Sequence, residues 1–114
     1  MQINNVNLEI KLFDSEFVKK YEQAFQQLGS RETEAAQQSD LSGAIQFMIG
    51  AYREAIDTIY GGGTYDSLGL SKTDYLENRR FMDQYIAEAK KETTVLQSEM
   101  RRYAPNRAQR RSRT

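Results

Sequence analysis

Residues Ser71–Tyr103 read SKTDYLENRRFMDQYIAEAKKETTVLQSEMRRY. Tyr75, Met82, Ala89, Leu96 and Tyr103 recur every seven residues, and Ile86 and Met100 fall four residues after Met82 and Leu96. Apolar residues at this spacing make a one-sided seam on a long helix. Ser71 with Asp74 three residues later resembles a capping box, with Asp in place of Glu or Gln; the helix is expected to start there. Such a helix runs about 30 residues, or roughly 45 Å at 1.5 Å per residue. A compact 100-residue domain has a radius of gyration of only about 13 Å. The helix is therefore expected to outrun its own core and need another surface to lie against.

Moving toward the N-terminus, Gly61-Gly62-Gly63 precede this helix, and residues 61–70 form a hinge. A phosphate loop would need a strand before the glycines and Gly-Lys-Ser/Thr after them. Here a helical pattern precedes, and no Lys follows until Lys72, so the glycines read as a helix-to-helix connection. Thr64 is placed to cap one short turn that carries Tyr65 and Leu68 inward. Before the hinge, Leu41, Ile45, Met48, Tyr52, Ile56 and Ile59 make the cleanest amphipathic stripe of the chain, capped by Ser39 or Asp40. Phe17, Val18, Tyr21, Phe25 and Leu28 mark an earlier helix that starts at Asp14 or Ser15, with Gly29 as its natural stop. Residues 30–39 are polar and read equally as a helical turn or a loop. From Val6 to Leu12 the apolar residues alternate, which reads as a strand. Asn4-Asn5 tolerates a tight turn, so Gln2–Ile3 is expected to pair with Val6–Lys11.

The expected fold is mainly α: a short N-terminal β-hairpin followed by three principal helices, the C-terminal one long. Residues 1–104 form a single helical domain, and 105–114 a basic flexible tail. The chain has no Cys and no His. Thiol catalysis, disulfides and metal sites built on those ligands are thereby excluded, as is the usual general base near neutral pH. Asp57, Asp66, Asp74, Glu77 and Asp83 cluster near the hinge without calcium-loop spacing and read as solvated surface. No catalytic, cofactor-binding or metal-ligating residue is expected, so the chain reads as no enzyme. No apolar run approaches the roughly 20 residues of a membrane span, and Met1–Asn5 lacks the basic head of a signal peptide.

The zero net charge conceals an asymmetry. Residues 101–114 carry six Arg and no acid, which leaves residues 1–100 with 10 basic and 16 acidic residues, a net of −6. A basic arm beside an acidic body suits an acidic protein partner or a second copy, and the acidic body argues against nucleic acid. The seam residues Tyr75, Met82, Ile86, Leu96, Met100 and Tyr103, with Arg107, Arg110 and Arg111, are the candidate partner-binding residues. Gly61, Gly62 and Gly63 are the candidate hinge. An aspartate at Met82 or at Leu96 is expected either to release a monomer or to unfold the chain.

Three stretches also carry a resemblance. They are Met1–Ile10 (MQINNVNLEI), the connector Ile56–Thr64 (IDTIYGGGT) and the ending Tyr103–Arg111 (YAPNRAQRR). Together they resemble small tail assembly chaperone-like proteins of siphophages and prophages of Gram-positive bacteria, encoded between the major tail protein and the tape-measure protein. The chain departs from that pattern at Gly62, where an acidic residue is usual, and at Leu68–Ser71. The resemblance implies a non-enzymatic tail assembly chaperone of the host bacterial cytoplasm. Its partners would be the tape-measure protein, the tail-tube protein and further copies of itself in a homo-oligomer. An inhibitor of a host defence or regulatory protein and a minor structural tail protein are the competing readings.

Overall fold

A computed structural model describes residues 1–102. Strands β1 (Gln2–Ile3) and β2 (Val6–Asn7) pair antiparallel, with Gln2 opposite Asn7 and Ile3 opposite Val6. Asn4 and Asn5 have φ of 46° and 66°, the double left-handed turn that asparagine accepts at low cost and that matches strand twist. The second strand stops at Asn7 rather than Lys11. β1 offers only two residues of ladder, and Leu8 N–H makes the last bond, to the Met1 carbonyl at 2.7 Å. Beyond it, Leu8 and Leu12 are still buried, so the alternation registers inward packing without a partner strand.

Four helices follow. Helix α1 (Ser15–Ala35) starts at Asp14, whose carboxylate accepts from Glu16 N–H at 2.9 Å. It runs straight through Gly29, the expected stop, and takes in most of residues 30–39. A mid-helix glycine costs only about 1 kcal/mol against alanine. Against that cost stand the burial of Ala35 and the bonds of Arg31 to Glu34 at 3.0 Å and to Glu54 on the next helix at 3.2 Å. Helix α2 (Leu41–Tyr60) is capped by Asp40 and is the axis of the core. Met48, Ile49, Ala51, Tyr52, Ala55, Ile56 and Ile59 are all buried, so it is covered on more than one face. At its end Gly61 has φ 110° and Gly63 φ 88°, a region that residues with a Cβ rarely enter.

Gly63 precedes α3 (Thr64–Ser67), which turns Tyr65 and Leu68 into the core. Helix α4 (Tyr75–Arg101) begins four residues later than Ser71. The Ser71 hydroxyl accepts from Thr73 and Asp74 N–H, and Asp74 itself caps the helix by accepting from Leu76 and Glu77 N–H. The anticipated box is thus two successive turns. Asn78 is fully buried. Its amide donates to the carbonyls of Ser71 and Asp74 at 2.7 and 2.9 Å, and its oxygen accepts from the Tyr65 hydroxyl. This fixes α3 to the first turn of α4.

Further along, Tyr85 sits among Phe81, Tyr21, Phe25 and Tyr60, with ring centroids 6.3–6.4 Å apart. Burying an aromatic of this kind contributes on the order of 2–3 kcal/mol. Tyr85 donates to the Tyr60 oxygen at 2.9 Å, and Tyr60 donates to the Glu9 carbonyl at 2.7 Å. That relay ties α4, α2 and the segment after the hairpin into one core.

Replacing Asn78 by Leu strands the Tyr65 hydroxyl and the Ser71 carbonyl, and should cost about 2–4 kcal/mol in urea unfolding. Burial pushes the Tyr60 phenol up to about 12 and raises Tyr85 as well. An unfolded tyrosine ionises near 10, so the folded state holds these protons to higher pH. Their stabilisation is complete below about 10 and is lost as pH rises toward 12. The urea midpoint should therefore fall between pH 10 and pH 12. Tyr60→Phe should cost about 1 kcal/mol at pH 8 and flatten that alkaline decline.

Candidate protein-binding groove

Helix α4 crosses α2 only over its first half. Tyr75 stacks on Tyr52 with centroids 6.3 Å apart, just past the middle of α2, and Tyr85 meets Tyr60 at the end of α2. The C-terminal end of α1 does not close over α4 at the Tyr75 end. The gap is a groove of about 450 Å³ lined by Leu28 and Ala35 of α1, Met48 and Tyr52 of α2, and Tyr75, Met82 and Ile86 of α4. It continues into a second hollow of about 290 Å³ made by Leu41, Ala44 and Ile45, sharing Met48 and Tyr75. Leu41 is 78% exposed at its mouth. The stripe of α2 is therefore core from Met48 onward and open apolar surface before it.

Polar groups rim the groove. Arg79 donates to the Tyr75 hydroxyl at 3.1 Å and to Asp83 at 3.1 Å. These two bonds hold its guanidinium charge more firmly than usual. Glu32 lies on the opposite side. The last turn of α1 contains no basic residue, so its carbonyl end keeps its partial negative charge. Burial, together with the Tyr75 hydroxyl, raises the Tyr52 phenol. Tyr52 therefore remains a neutral donor and acceptor over the physiological range.

The candidate seam divides in two. Tyr75, Met82 and Ile86 converge on the groove, with Met82 itself buried and Tyr75 and Ile86 half-buried. Leu96 and Met100 do not join them. After Ala89 no residue of α4 is buried, and the helix runs on to Arg101 clear of its own core. These last 12 residues extend about 18 Å. Leu96 is half-buried there, while Val95 and Met100 are 48% and 65% exposed. Thr93 and Thr94 donate back to the Ala89 and Lys90 carbonyls at 3.0 Å, which keeps this weak stretch helical. Tyr103, Arg107, Arg110, Arg111 and the tail 105–114 lie outside the described residues.

Each hinge carboxylate has a structural bond. Asp57 accepts from Tyr65 N–H at 2.9 Å, and Asp66 pairs with Arg53 at 2.8 Å and Lys72 at 3.3 Å. Glu77 accepts from Ser71 N–H, and Asp83 pairs with Arg79. The Gly61–Gly63 connector is thus bridged on both sides. Among the described residues no group of three or more acidic side chains converges on a metal site, and no helix is long and apolar enough to cross a membrane.

Sequence reasoning overlooked Asn78, Phe81 and Tyr85, which with Met82 and Ala89 are the buried face of α4. Their 3-4 spacing was available. The seven-residue line through Tyr75 and Leu96 passes them by, because such a line drifts about 20° per heptad on a straight helix.

A family model described as a family of unknown function, DUF6673, matches residues 4–114. The chain belongs to the DUF6673 family. The match takes in the hairpin turn, the groove and the whole of α4. No curated protein and no solved structure matches this DUF6673 chain.

The split of the seam separates two substitutions that periodicity treats alike. Met82→Asp buries an unpaired charge and should cost on the order of 4 kcal/mol, unfolding most of the chain by circular dichroism. Met100→Asp should leave the urea midpoint within about 0.5 kcal/mol of the parent.

Proposed function

We propose that this protein is a non-enzymatic assembly chaperone that receives an amphipathic helix of its client in the groove between α1, α2 and α4. The observation that carries the reading is the hollow at the start of α2, where Leu41 is exposed beside half-buried Ile45 and Tyr75, next to a groove floored by the buried Leu28, Ala35, Met48 and Met82. Helix-in-groove recognition uses apolar anchors at helical spacing laid into such a trough. Arg79, Asp83 and Glu32 supply a polar rim that sets orientation. Among the described residues the hinge acids are engaged in caps, backbone bonds and ion pairs.

The nature of the client comes from the resemblance of the Ile56–Thr64 connector and the Tyr103–Arg111 ending to phage tail assembly chaperones. On that reading the client is the tape-measure protein, a long helical chain that must stay soluble until tail-tube subunits polymerise around it. The work would take place in the cytoplasm of the infected bacterium. Co-expression with the tape-measure protein encoded alongside should yield a soluble complex, and Leu41→Asp with Ile45→Asp should abolish it without loss of helicity. Failure of the parent chain to bind or solubilise that client would overturn the reading.

A further inference from the structure

We infer that the groove also receives the outer turns of α4 from a second copy of this chain, so that copies join head to tail. The fold leaves two apolar surfaces uncovered at opposite ends. Tyr75 shares the hollow of Leu41, Ala44 and Ile45, the first turns of α2. The outer turns leave the body past Tyr85, which packs on Tyr60 where α2 ends. A rigid helix cannot fold back onto the groove that its own first half lines. The ridge formed by Val95, Leu96 and Met100 therefore meets a groove only on another molecule.

The charges match as well. Residues 31–40, which flank the groove at the end of α1, carry Arg31 against Glu32, Glu34 and Asp40, a net of −2. Residues 90–102 carry Lys90, Lys91, Arg101 and Arg102 against Glu92 and Glu99, a net of +2, and four further Arg follow in the sequence. A basic helix end entering beside the acidic C-terminal turn of α1 is favoured by the net charges and by the attraction of its Lys and Arg side chains to the α1 carbonyl end, against the mild opposition of two helix C-termini. The contact is heterologous, with different patches on the two partners, so it propagates into a ring or an open chain rather than a closed pair.

This inference rests on the groove being a helix receptor, as the proposed function holds, and adds what fills it before a client arrives. Self-association and client capture then compete for one site. A client helix releases the outer turns of the neighbouring copy, and assemblies dissolve as the client is coated.

The absence of cysteine gives a clean test. Chains carrying only Ile45→Cys and chains carrying only Met100→Cys are mixed and mildly oxidised. The mixed disulfide should exceed both like-with-like products, and a Thr94→Cys chain, altered on the opposite side of the same helix, should not link to Ile45→Cys. In sedimentation the parent chain should associate with concentration, and Met100→Asp, still folded, should associate about tenfold more weakly. Products in statistical proportion, or a parent chain that stays monomeric, would overturn the inference. So would an Ile45→Cys thiol that becomes more reactive once residues 103–114 are removed from a monomer, because the chain's own tail would then fill the groove. A monomer that still solubilises the client sinks only this inference; a self-linking chain that leaves the client insoluble sinks only the chaperone reading.

Discussion

The buried Asn78 side chain fixes the geometry on which everything else depends. It is the one polar residue sealed inside the described core, and it satisfies three partners at once, from α3, the preceding loop and the first turn of α4. A buried amide with all its bonds made is stabilising, and one with any bond broken is costly. The node therefore admits one placement of α3 against α4. Since α4 is a stiff rod, the angle chosen at Asn78 decides where its far end goes.

That angle has two consequences. It carries Tyr85 into the aromatic group of Phe25, Tyr21 and Tyr60, which closes the core at the end of α2. It also leaves the start of α2 uncovered, since α4 reaches only as far back as Tyr75, so Leu41 and Ile45 face a hollow rather than a neighbour. The same placement both completes the core and creates the groove. A binding surface here is not an addition to the fold but the part of α2 that the last helix does not reach.

Much of this was legible from local chemistry. The Asn4-Asn5 turn, the caps at Asp14 and Asp40, the glycine exit from α2 and the inward Tyr65 and Leu68 all depend on interactions within a few residues, and the sequence displays such interactions directly. The misreadings are of another kind. Gly29 was given the weight of a stop, yet Ala35 and Arg31 find partners on α2 that hold the helix beyond it. The alternation through Leu12 was given a ladder, although only burial sustains it. At α4 the seven-residue line meets the buried face at Met82 and Ala89 and leaves it beyond them, because Phe81, Tyr85 and Asn78 are chosen by what α2 and α3 offer them.

By itself the sequence determined the order of the three long helices, the caps at Asp14 and Asp40, the hairpin turn and the surplus length of the last helix, since hydrophobic period, cap residues and charge are properties of neighbouring residues. Only the tertiary structure decided that Met82 is core while Met100 faces solvent, and that the first turns of α2 form the mouth of a groove. Those outcomes follow from where one rod crosses another, and a buried amide more than 30 residues beyond Ile45 sets that crossing.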